Sequence, residues 1–211
     1  RCVDVRVRGC DRAATKLAPP VRTSLKDIRW APLSHVRVRK RRRAINMEQS
    51  YIQLALAKKE DHEQLEVIRQ LAFKPIFESF KSILGPDLYS IAQEKEDNNQ
   101  AEILSSMFQP GSPWTIYSFF EGELLIGFVA IQIDNETKLG EIGLNAVHPD
   151  HSGRGRGTQM YELAVQKLKE AGMLAAHVAT GGDPSHLAAR RAYEKAGFDR
   201  QIPSVWFCRE I

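Results

Sequence analysis

The sequence predicts an α/β protein with a mixed β-sheet. Apolar runs of strand length alternate along the chain with segments in which apolar residues recur at helical spacing. Residues 114–120 and 123–133 flank a Glu-Gly turn and predict an antiparallel hairpin. Residues 141–147 and 174–180 are separated by a helical pattern, and a right-handed crossover makes them parallel. A sheet that contains both kinds of pairing is mixed.

The first 46 of the 211 residues differ in charge from the rest. They hold 14 Lys and Arg against 3 Asp and Glu, whereas residues 47–211 hold 16 against 23. Because residues 1–46 show little periodicity and no sizeable apolar face, we interpret them as a disordered extension. This extension need not be native, since Met47 opens the domain-like part. Its basic run at 37–43 leaves open a role as a nucleic-acid tether.

The N-terminal half of the acidic body predicts a first strand followed by helices. Residues 51–57 alternate in polarity as a strand does, and residues 59–73 form an amphipathic helical pattern. Residues 77–84 and 88–108 predict one or two further helices, separated by a Gly-Pro pair. The aromatic residues of this region predict mainly core packing.

The C-terminal end predicts a last strand at residues 204–211, with Cys208 packed within it. The other cysteines, Cys2 and Cys10, lie in the basic extension. Three scattered cysteines provide neither a disulfide framework nor zinc-ligand spacing, which is consistent with a reducing cytoplasm. The longest apolar run, at 124–131, is too short to span a bilayer, so we expect a cytoplasmic protein without a membrane partner.

Residues 141–157, EIGLNAVHPDHSGRGRG, predict an anion-binding site. An apolar strand is followed by Gly153, Gly155 and Gly157, and a helical pattern begins at once. The first N–H groups of a helix have no internal partner, and the helix dipole adds about half a positive charge there. Glycines let a diphosphate approach the backbone, and the two arginines between them add mobile positive charge. No Lys-Ser/Thr pair follows the last glycine, and the loop comes late in the chain, so neither a P-loop nor a dinucleotide fold is indicated.

Two motifs resemble those of the Gcn5-related N-acetyltransferase (GNAT) family. Residues 152–157, SGRGRG, resemble its acetyl-CoA motif Gln/Arg-x-x-Gly-x-Gly/Ala, although Ser152 replaces the usual Gln or Arg and Arg156 replaces an aliphatic residue. Asp183 and Pro184 predict a helix start, with Asp183 as the N-cap and proline at the first helical position. Residues 186–198, which follow, resemble the family's Asn-x-x-Ala-x-x-x-Tyr-Glu-x-x-Gly-Phe signature, with His186 in place of the Asn. For the whole acidic body, the resemblance implies a largely antiparallel mixed sheet, splayed at a central parallel strand pair, with helices on both faces.

The resemblance implies an acyltransferase that moves the acetyl group of acetyl-CoA, its co-substrate, to an amine by direct attack in a ternary complex. Glu141 is the candidate general base, because its strand resembles the one in which the family's histone acetyltransferases carry a catalytic glutamate; His177 or Asp183 are the substitutes. Tyr193 is the candidate proton donor to the departing thiolate. No metal ligands are predicted. The residues predicted to bind the cofactor are Asn145, Ala146, Val147, Ser152, Gly153, Arg154, Gly155, Arg156, Gly157, Thr158 and His186.

The resemblance also implies a role for the backbone of the strand at 141–147. In the family this strand separates from the next one, and the pantetheine arm of the coenzyme pairs with its exposed backbone. We predict a bulge near residues 145–147 that frees an N–H for the oxyanion of the tetrahedral intermediate.

The acceptor is left open among a polyamine, an antibiotic amine, an amino acid, a protein N terminus and a lysine side chain. In the family the helices after the first strand wall the acceptor site, and the acidic body favours a cationic acceptor. Two alternative functions are a catalytically inactive acetyl-CoA-binding or sensor module, and a nucleic-acid tether that acts through the basic tail. A homodimer is left open as well.

Overall fold

The computed structural model describes residues 51–211, and these contain a five-stranded sheet in the order β1-β2-β3-β4-β5. The first four strands pair antiparallel, and β4 and β5 pair parallel, so the predicted mixed sheet is confirmed. The predictions for residues 1–46 lie outside the described residues. The strands are β1 (Ile52–Leu56), β2 (Trp114–Glu121), β3 (Leu124–Asp134), β4 (Leu139–Val147) and β5 (Ala175–Val178).

Helices cover both faces of this sheet, as predicted. The helices are α1 (His62–Leu84), α2 (Pro86–Ala92), α3 (Glu94–Asn98), α4 (Gln100–Met107), α5 (Arg156–Glu170) and α6 (Leu187–Lys195). On one face, Met160 and Leu168 of α5 pack with Ile142 of β4 in a buried cluster. On the other face, Leu65 of α1 packs with Phe128 of β3 in a second cluster. Because neighbouring residues of a strand point to opposite faces, one sheet serves both cores.

The first helix is longer than predicted. Residues 59–73 and 77–84 were expected to form separate helices, but α1 runs through Pro75 to Leu84 without a break. A proline removes one backbone donor and does not by itself end a helix whose flanking turns are packed. The predicted break at Gly85-Pro86 is confirmed, and the following region forms three short helices instead of one or two.

The β4 strand carries a bulge slightly before the predicted position. Ile142 pairs with Ile131 and Asn145 pairs with Val129, so Gly143 and Leu144 both lie opposite the single residue between. This two-against-one arrangement is a β-bulge, and we had expected it near residues 145–147. Glycine suits the place because a Cβ on Gly143 would lie 2.3 Å from the indole ring of Trp114. The bulge also shifts the alternation of side chains, so Asn145 turns to the same face as Ile142.

The predicted last strand is wrong. Residues 199–211 form no helix or strand, and Trp206, Phe207 and Cys208 are exposed, with Trp206 at 83%. A strand-like pattern becomes a strand only if a neighbouring backbone accepts its hydrogen bonds, and here residues 204–211 lie beside no strand of the described chain. The parallel pair therefore stands at the edge of the sheet instead of at its centre.

A membrane-spanning helix and a cluster of metal ligands are both absent from the described residues. None of the helices within residues 51–211 combines the length and the apolar character needed to cross a bilayer. Nor do His, Cys, Asp and Glu side chains in this part of the chain gather in a group of three or more suited to a metal ion.

Candidate active site

The site is centred on the place where β4 and β5 part. Their parallel pairing begins at Leu139 and ends where Ile142 meets Val178. From Gly143 to Val147, β4 keeps its partner β3 on one side and has no strand partner on the other within residues 51–211. Backbone polar groups along such an edge are available to an extended ligand.

The N-terminus of α5 lies directly after this open edge. A short turn at Pro149–His151 leads from β4 into the glycine loop, and Gly155 caps the helix with a left-handed φ of 78°. Gly157 and Thr158 occupy the first helical turn, where N–H groups have no acceptor within the helix. A Cβ on Gly157 would lie 3.5 Å from Cβ of Ala192, so this turn packs closely against α6. The predicted strand, glycine loop and helix thus lie beside α6, which carries the second family motif, at residues 186–198.

The two arginines of the loop are not equivalent. The guanidinium of Arg156 forms an ion pair with Glu121 at the end of β2 and donates to Gln159 at 2.9 Å. His151 lies 3.3 Å from the same glutamate. Arg154 is exposed. The expectation of two mobile positive charges is therefore wrong for Arg156, whose side chain fastens the loop to the sheet.

A buried hydrogen-bond network joins β4, α5 and α6. Tyr161 donates to Oδ1 of Asn145 at 2.8 Å, while Nδ2 of Asn145 donates to the Gly143 carbonyl at 2.8 Å and to the Tyr193 hydroxyl at 3.4 Å. The two tyrosine rings lie 4.4 Å apart, and Tyr193 is 7% exposed. The bulge allows this network to form, because it turns the Asn145 side chain towards Tyr161 and Tyr193.

Burial keeps both tyrosines protonated at neutral pH. Burial raises the pKa of Tyr193, and its hydrogen bonds with Tyr161 and Asn145 offset only part of that rise. Burial and the neighbouring Tyr193 raise the pKa of Tyr161 well above its ordinary value. Tyr193 therefore carries a proton that it can donate in the physiological pH range.

A cavity of about 270 Å³ opens beside this network. Its lining includes the bulge residues Gly143 and Leu144, as well as Asn145 and Tyr193. The wall contributed by α1 consists of Phe73, Ile76, Phe77 and Phe80 and is largely aromatic. The helical region after β1 thus borders the cavity together with the open edge of β4.

The opposite wall of the cavity carries a buried carboxylate. Asp97 of α3 is 5% exposed and accepts hydrogen bonds from Tyr89 and Gln93, both at 2.8 Å. Burial, together with this carboxylate, raises the pKa of Tyr89 to about 12. Asp97 was not predicted as a site residue because it stands in a highly charged run, EKEDNN, that is typical of a solvated helix surface.

A second carboxylate lies at the start of α6. Asp183 accepts from Ser79 of α1 at 2.9 Å and from the backbone of Ser185 at 3.0 Å, and it also bonds to Nδ1 of His186. His186 stacks on Phe80 with ring centroids 5.8 Å apart and lines the cavity. Burial alone would raise the pKa of Asp183, but these hydrogen bonds outweigh it and lower the pKa to about 2. The carboxylate is therefore ionised throughout the neutral range.

Glu141 stands apart from these groups. It pairs in register with His177 of β5, and its carboxylate lies 3.4 Å from Nε2 of that residue. The side chains of Glu141 and His177 are 42% and 55% exposed. Glu141 precedes Gly143 by two residues but lies outside the cavity lining.

Comparisons with known proteins bear on the identity of the chain. A family model described as "Acetyltransferase (GNAT) family" matches residues 77–198, which is more than half of the sequence. The chain belongs to the GNAT family of acetyltransferases. A comparison with curated protein sequences gave no significant match.

Solved structures share the GNAT fold of this chain. The Bacillus subtilis protein YycN is 16% identical with a TM-score of 0.54, over 76% of this chain and 99% of its own. The ribosomal-protein-S18-alanine N-acetyltransferase of Escherichia coli is 15% identical with a TM-score of 0.51, over 72% and 80%. The enzyme AAC(6')-Ib, in complex with ribostamycin and coenzyme A, is 19% identical with a TM-score of 0.52, over 71% and 84%. At these identities the likeness concerns the fold alone.

Within this GNAT chain, the predicted site residues fall into four groups. Asn145, His186 and Tyr193 line one cavity. Ala146 and Val147 lie on the open edge of β4, with the Ala146 side chain buried towards α1 and that of Val147 packed towards α5. Glu141 lies outside the cavity lining. The loop residues Ser152, Gly153, Arg154 and Gly155 are exposed, and Arg156, Gly157 and Thr158 begin α5.

The sequence contained a signal for the Asp183–His186 pair that the predictions used only in part. Asp183 was predicted as a helix cap and as a substitute base, and His186 as a coenzyme contact. Their spacing of three residues at a helix start puts the two side chains side by side, which the structure shows. Tyr161 and Asp97 were missed because their burial depends on residues far away in the sequence.

Proposed function

We propose that this GNAT chain transfers the acetyl group of acetyl-CoA to an amine by direct attack in a ternary complex. The observation that carries the proposal is the junction of three features: the open edge of β4, the N-terminus of α5 and a cavity that holds a protonated tyrosine. The coenzyme A bound to AAC(6')-Ib supports acetyl-CoA as the co-substrate. The amine acceptors in the names of the solved relatives support an amine here.

The first turn of α5 is proposed to bind the diphosphate of the coenzyme. Ser152 to Thr158 supply glycine-flanked backbone and the positive end of the α5 dipole. Arg154 contributes an exposed charge, whereas Arg156 contributes its backbone because its side chain is paired with Glu121. The pantetheine arm then pairs with the open backbone at 145–147 and reaches the cavity beside His186.

The chemistry requires a proton donor for the departing thiolate. Tyr193 is the proposed donor, because its pKa is raised and its hydroxyl lies at the cavity. A backbone N–H on the open side of the β4 bulge is proposed to bind the oxyanion. Glu141 remains a prediction for the general base, since its position beside β5 is close to the cavity but not within its lining.

The acceptor is proposed to be a cationic amine, on a small molecule or on a peptide. An ammonium group fits between the Asp97 carboxylate and the aromatic side chains of α1, which attract a cation through their ring faces. A cytoplasmic location remains a prediction from the scattered cysteines, and a homodimer remains open.

The test is calorimetry and turnover with the full chain. Acetyl-CoA should bind with measurable heat, and a panel of spermidine, kanamycin and an alanine-terminated peptide should include an amine that accelerates thiol release. Tyr193→Phe should lower kcat at least about tenfold while leaving acetyl-CoA affinity within about twofold. Binding without turnover by any amine would favour the inactive sensor module, and absence of binding would exclude both.

A further inference from the structure

We propose that His186, held in place by Asp183, is the group that takes the proton from the acceptor amine. This inference rests on the proposed acetyl transfer and concerns which residue serves as its base. It differs from the sequence prediction, in which Glu141 has that role and His186 only contacts the coenzyme.

Several neighbouring residues hold the imidazole of His186 in place. Its Nδ1 is bonded to Oδ1 of Asp183, and Ser79 and Ser185 bond to the other oxygen of the same carboxylate. Arg190 donates to the carbonyls of Gly181 and Asp183 at 2.5 Å and 2.9 Å, which fixes the loop that carries the carboxylate. The ring is also stacked on Phe80.

These contacts fix the tautomer. A neutral imidazole next to a carboxylate carries its proton on the nitrogen that faces the carboxylate, so Nδ1 donates and Nε2 keeps its lone pair. Within the described chain no hydrogen bond reaches Nε2, and the ring forms part of the cavity wall together with Tyr193. An oriented imidazole that lines a cavity and has no hydrogen bond at Nε2 within the described residues is suited to act as a general base.

Charged and polar groups surround the ring. Asp183, whose carboxylate is ionised, contacts the ring directly. From α1 the ring stacks on Phe80, which is uncharged, and Ser79 binds the Asp183 carboxylate. Asp97 from α3 and the protonated Tyr193 share the cavity. The cation of Arg190 is directed to backbone carbonyls.

The Glu141–His177 pair lacks these properties. Both side chains are about half exposed, whereas those of His186 and Asp183 are 15% and 13% exposed. Among residues 51–211, Glu141 has no second partner of the kind that Ser79 provides to Asp183, and it lies outside the cavity lining. Water at a half-exposed carboxylate competes with a substrate proton, so a fixed, sheltered imidazole is the better-placed base.

The proposed reaction conserves protons and electrons at each step. The ammonium form of the acceptor gives one proton to Nε2 of His186, and the free amine attacks the thioester carbonyl carbon, forming the C–N bond. The tetrahedral adduct collapses with cleavage of the C–S bond, and Tyr193 protonates the thiolate. The nitrogen of the adduct loses its extra proton to Tyr193, which restores the phenol, and His186 later releases its proton to water. The products are the amide, coenzyme A and one proton.

The experiment compares His186→Asn with Glu141→Gln in the full chain, using the amine from the panel that gives the fastest thiol release. Asparagine still forms hydrogen bonds but cannot take a proton near neutral pH. We expect His186→Asn to lower kcat/KM by at least about 100-fold and to remove its acid limb, with acetyl-CoA affinity within about threefold. Glu141→Gln tests the competing assignment, and we expect it to lower kcat/KM much less than His186→Asn does and to keep that limb.

A third variant tests whether Asp183 acts on the reaction through the imidazole of His186. Asp183→Asn removes the charge that stabilises the imidazolium, so the acid limb of the remaining activity should move to lower pH. Thermal melting checks that each variant is folded, and His186→Gln replaces His186→Asn if the latter is not. The acid limb is the decisive readout because a purely structural loss lowers the rate at every pH alike.

Two results would overturn the inference. One is an intact acid limb in His186→Asn with a large loss in Glu141→Gln, which assigns the base to Glu141. The other is weaker acetyl-CoA binding by His186→Asn at an unchanged kcat, which makes His186 a coenzyme contact. A wild-type chain that binds no acetyl-CoA would instead defeat the proposed function itself, so the two failures are distinguishable.

Discussion

Glu141–His177 and Asp183–His186 join the same two chemical groups in different surroundings. The first pair lies across two parallel strands, with a 3.4 Å contact and both side chains about half exposed. The second lies at a helix start, is mostly buried, and receives further hydrogen bonds from Ser79 and Ser185. Exposed ion pairs contribute little free energy because water and salt screen them, whereas a supported, sheltered carboxylate holds its partner in one position. Surroundings therefore decide which pair is able to orient a reacting group.

The largest expected difference between the pairs is in stability. Asp183→Ala removes the acceptor of Ser79 and His186 as well as the cap of the last helical segment, and it should lower the free energy of unfolding by about 2–4 kcal/mol. Glu141→Ala, the matched control, should lower it by less than about 0.5 kcal/mol. Urea unfolding at neutral pH measures both. Equal losses in the two variants would remove the distinction between the pairs.

The second expected effect is the pH dependence that Asp183 contributes to the stability of the fold. Its pKa in the folded chain is about 2, below the ordinary value of 3.8. The stabilisation is therefore fully present above the unfolded-state pKa and is lost as the pH falls through the folded-state value, which amounts to about 2 kcal/mol. Urea unfolding between pH 5 and pH 2, a range that runs from above the unfolded-state pKa down to the folded-state pKa of this residue, measures most of this loss. The dependence should shrink in Asp183→Asn and persist in Glu141→Gln.

The same contrast explains how much the sequence could predict. The strand, glycine loop and helix at 141–170 were predicted because each step depends on neighbouring residues: an apolar run, a left-handed Gly155 and a helical pattern. The cap at Asp183 was predicted for the same reason. The strand at 204–211 was predicted wrongly because strand formation depends on a partner that a local pattern does not specify.

The features missed in the site depend on how separate helices and strands pack together. Ser79 and Asp183 are 104 positions apart, so no local pattern reports that α1 supports the carboxylate. The sequence around Asp97 is typical of a solvated helix surface, but the packing of α2 and α3 buries the Asp97 side chain against Tyr89. The bulge at Gly143 was placed two residues late, because its position is set by the Trp114 ring that packs on the glycine. Local sequence patterns thus predict the candidate coenzyme-binding loop better than the proposed acceptor-binding part of the cavity.

The third prediction separates the support of the buried pair from the pair itself. Ser79→Ala removes one hydrogen bond to the Asp183 carboxylate and leaves its contact with His186 in place. It should lower the free energy of unfolding by about 1 kcal/mol, measured by urea unfolding. Ser82→Ala is the control, since Ser82 is exposed on the same helix. A loss as large as that of Asp183→Ala would mean that the contact with α1, and not the pair, dominates.

The smallest expected effect is the coupling within the exposed pair. A double-mutant cycle with Glu141→Gln and His177→Gln should give a coupling energy below about 0.5 kcal/mol that decreases further in high salt. The same cycle with Asp183→Asn and His186→Asn should give about 1–3 kcal/mol, with little dependence on salt, because both side chains are sheltered from water. Urea unfolding at two ionic strengths supplies all the values. A strong, salt-independent coupling between Glu141 and His177 would show that the parallel strands hold that pair as firmly as Ser79 and Ser185 hold the other, and would restore Glu141 as an oriented base.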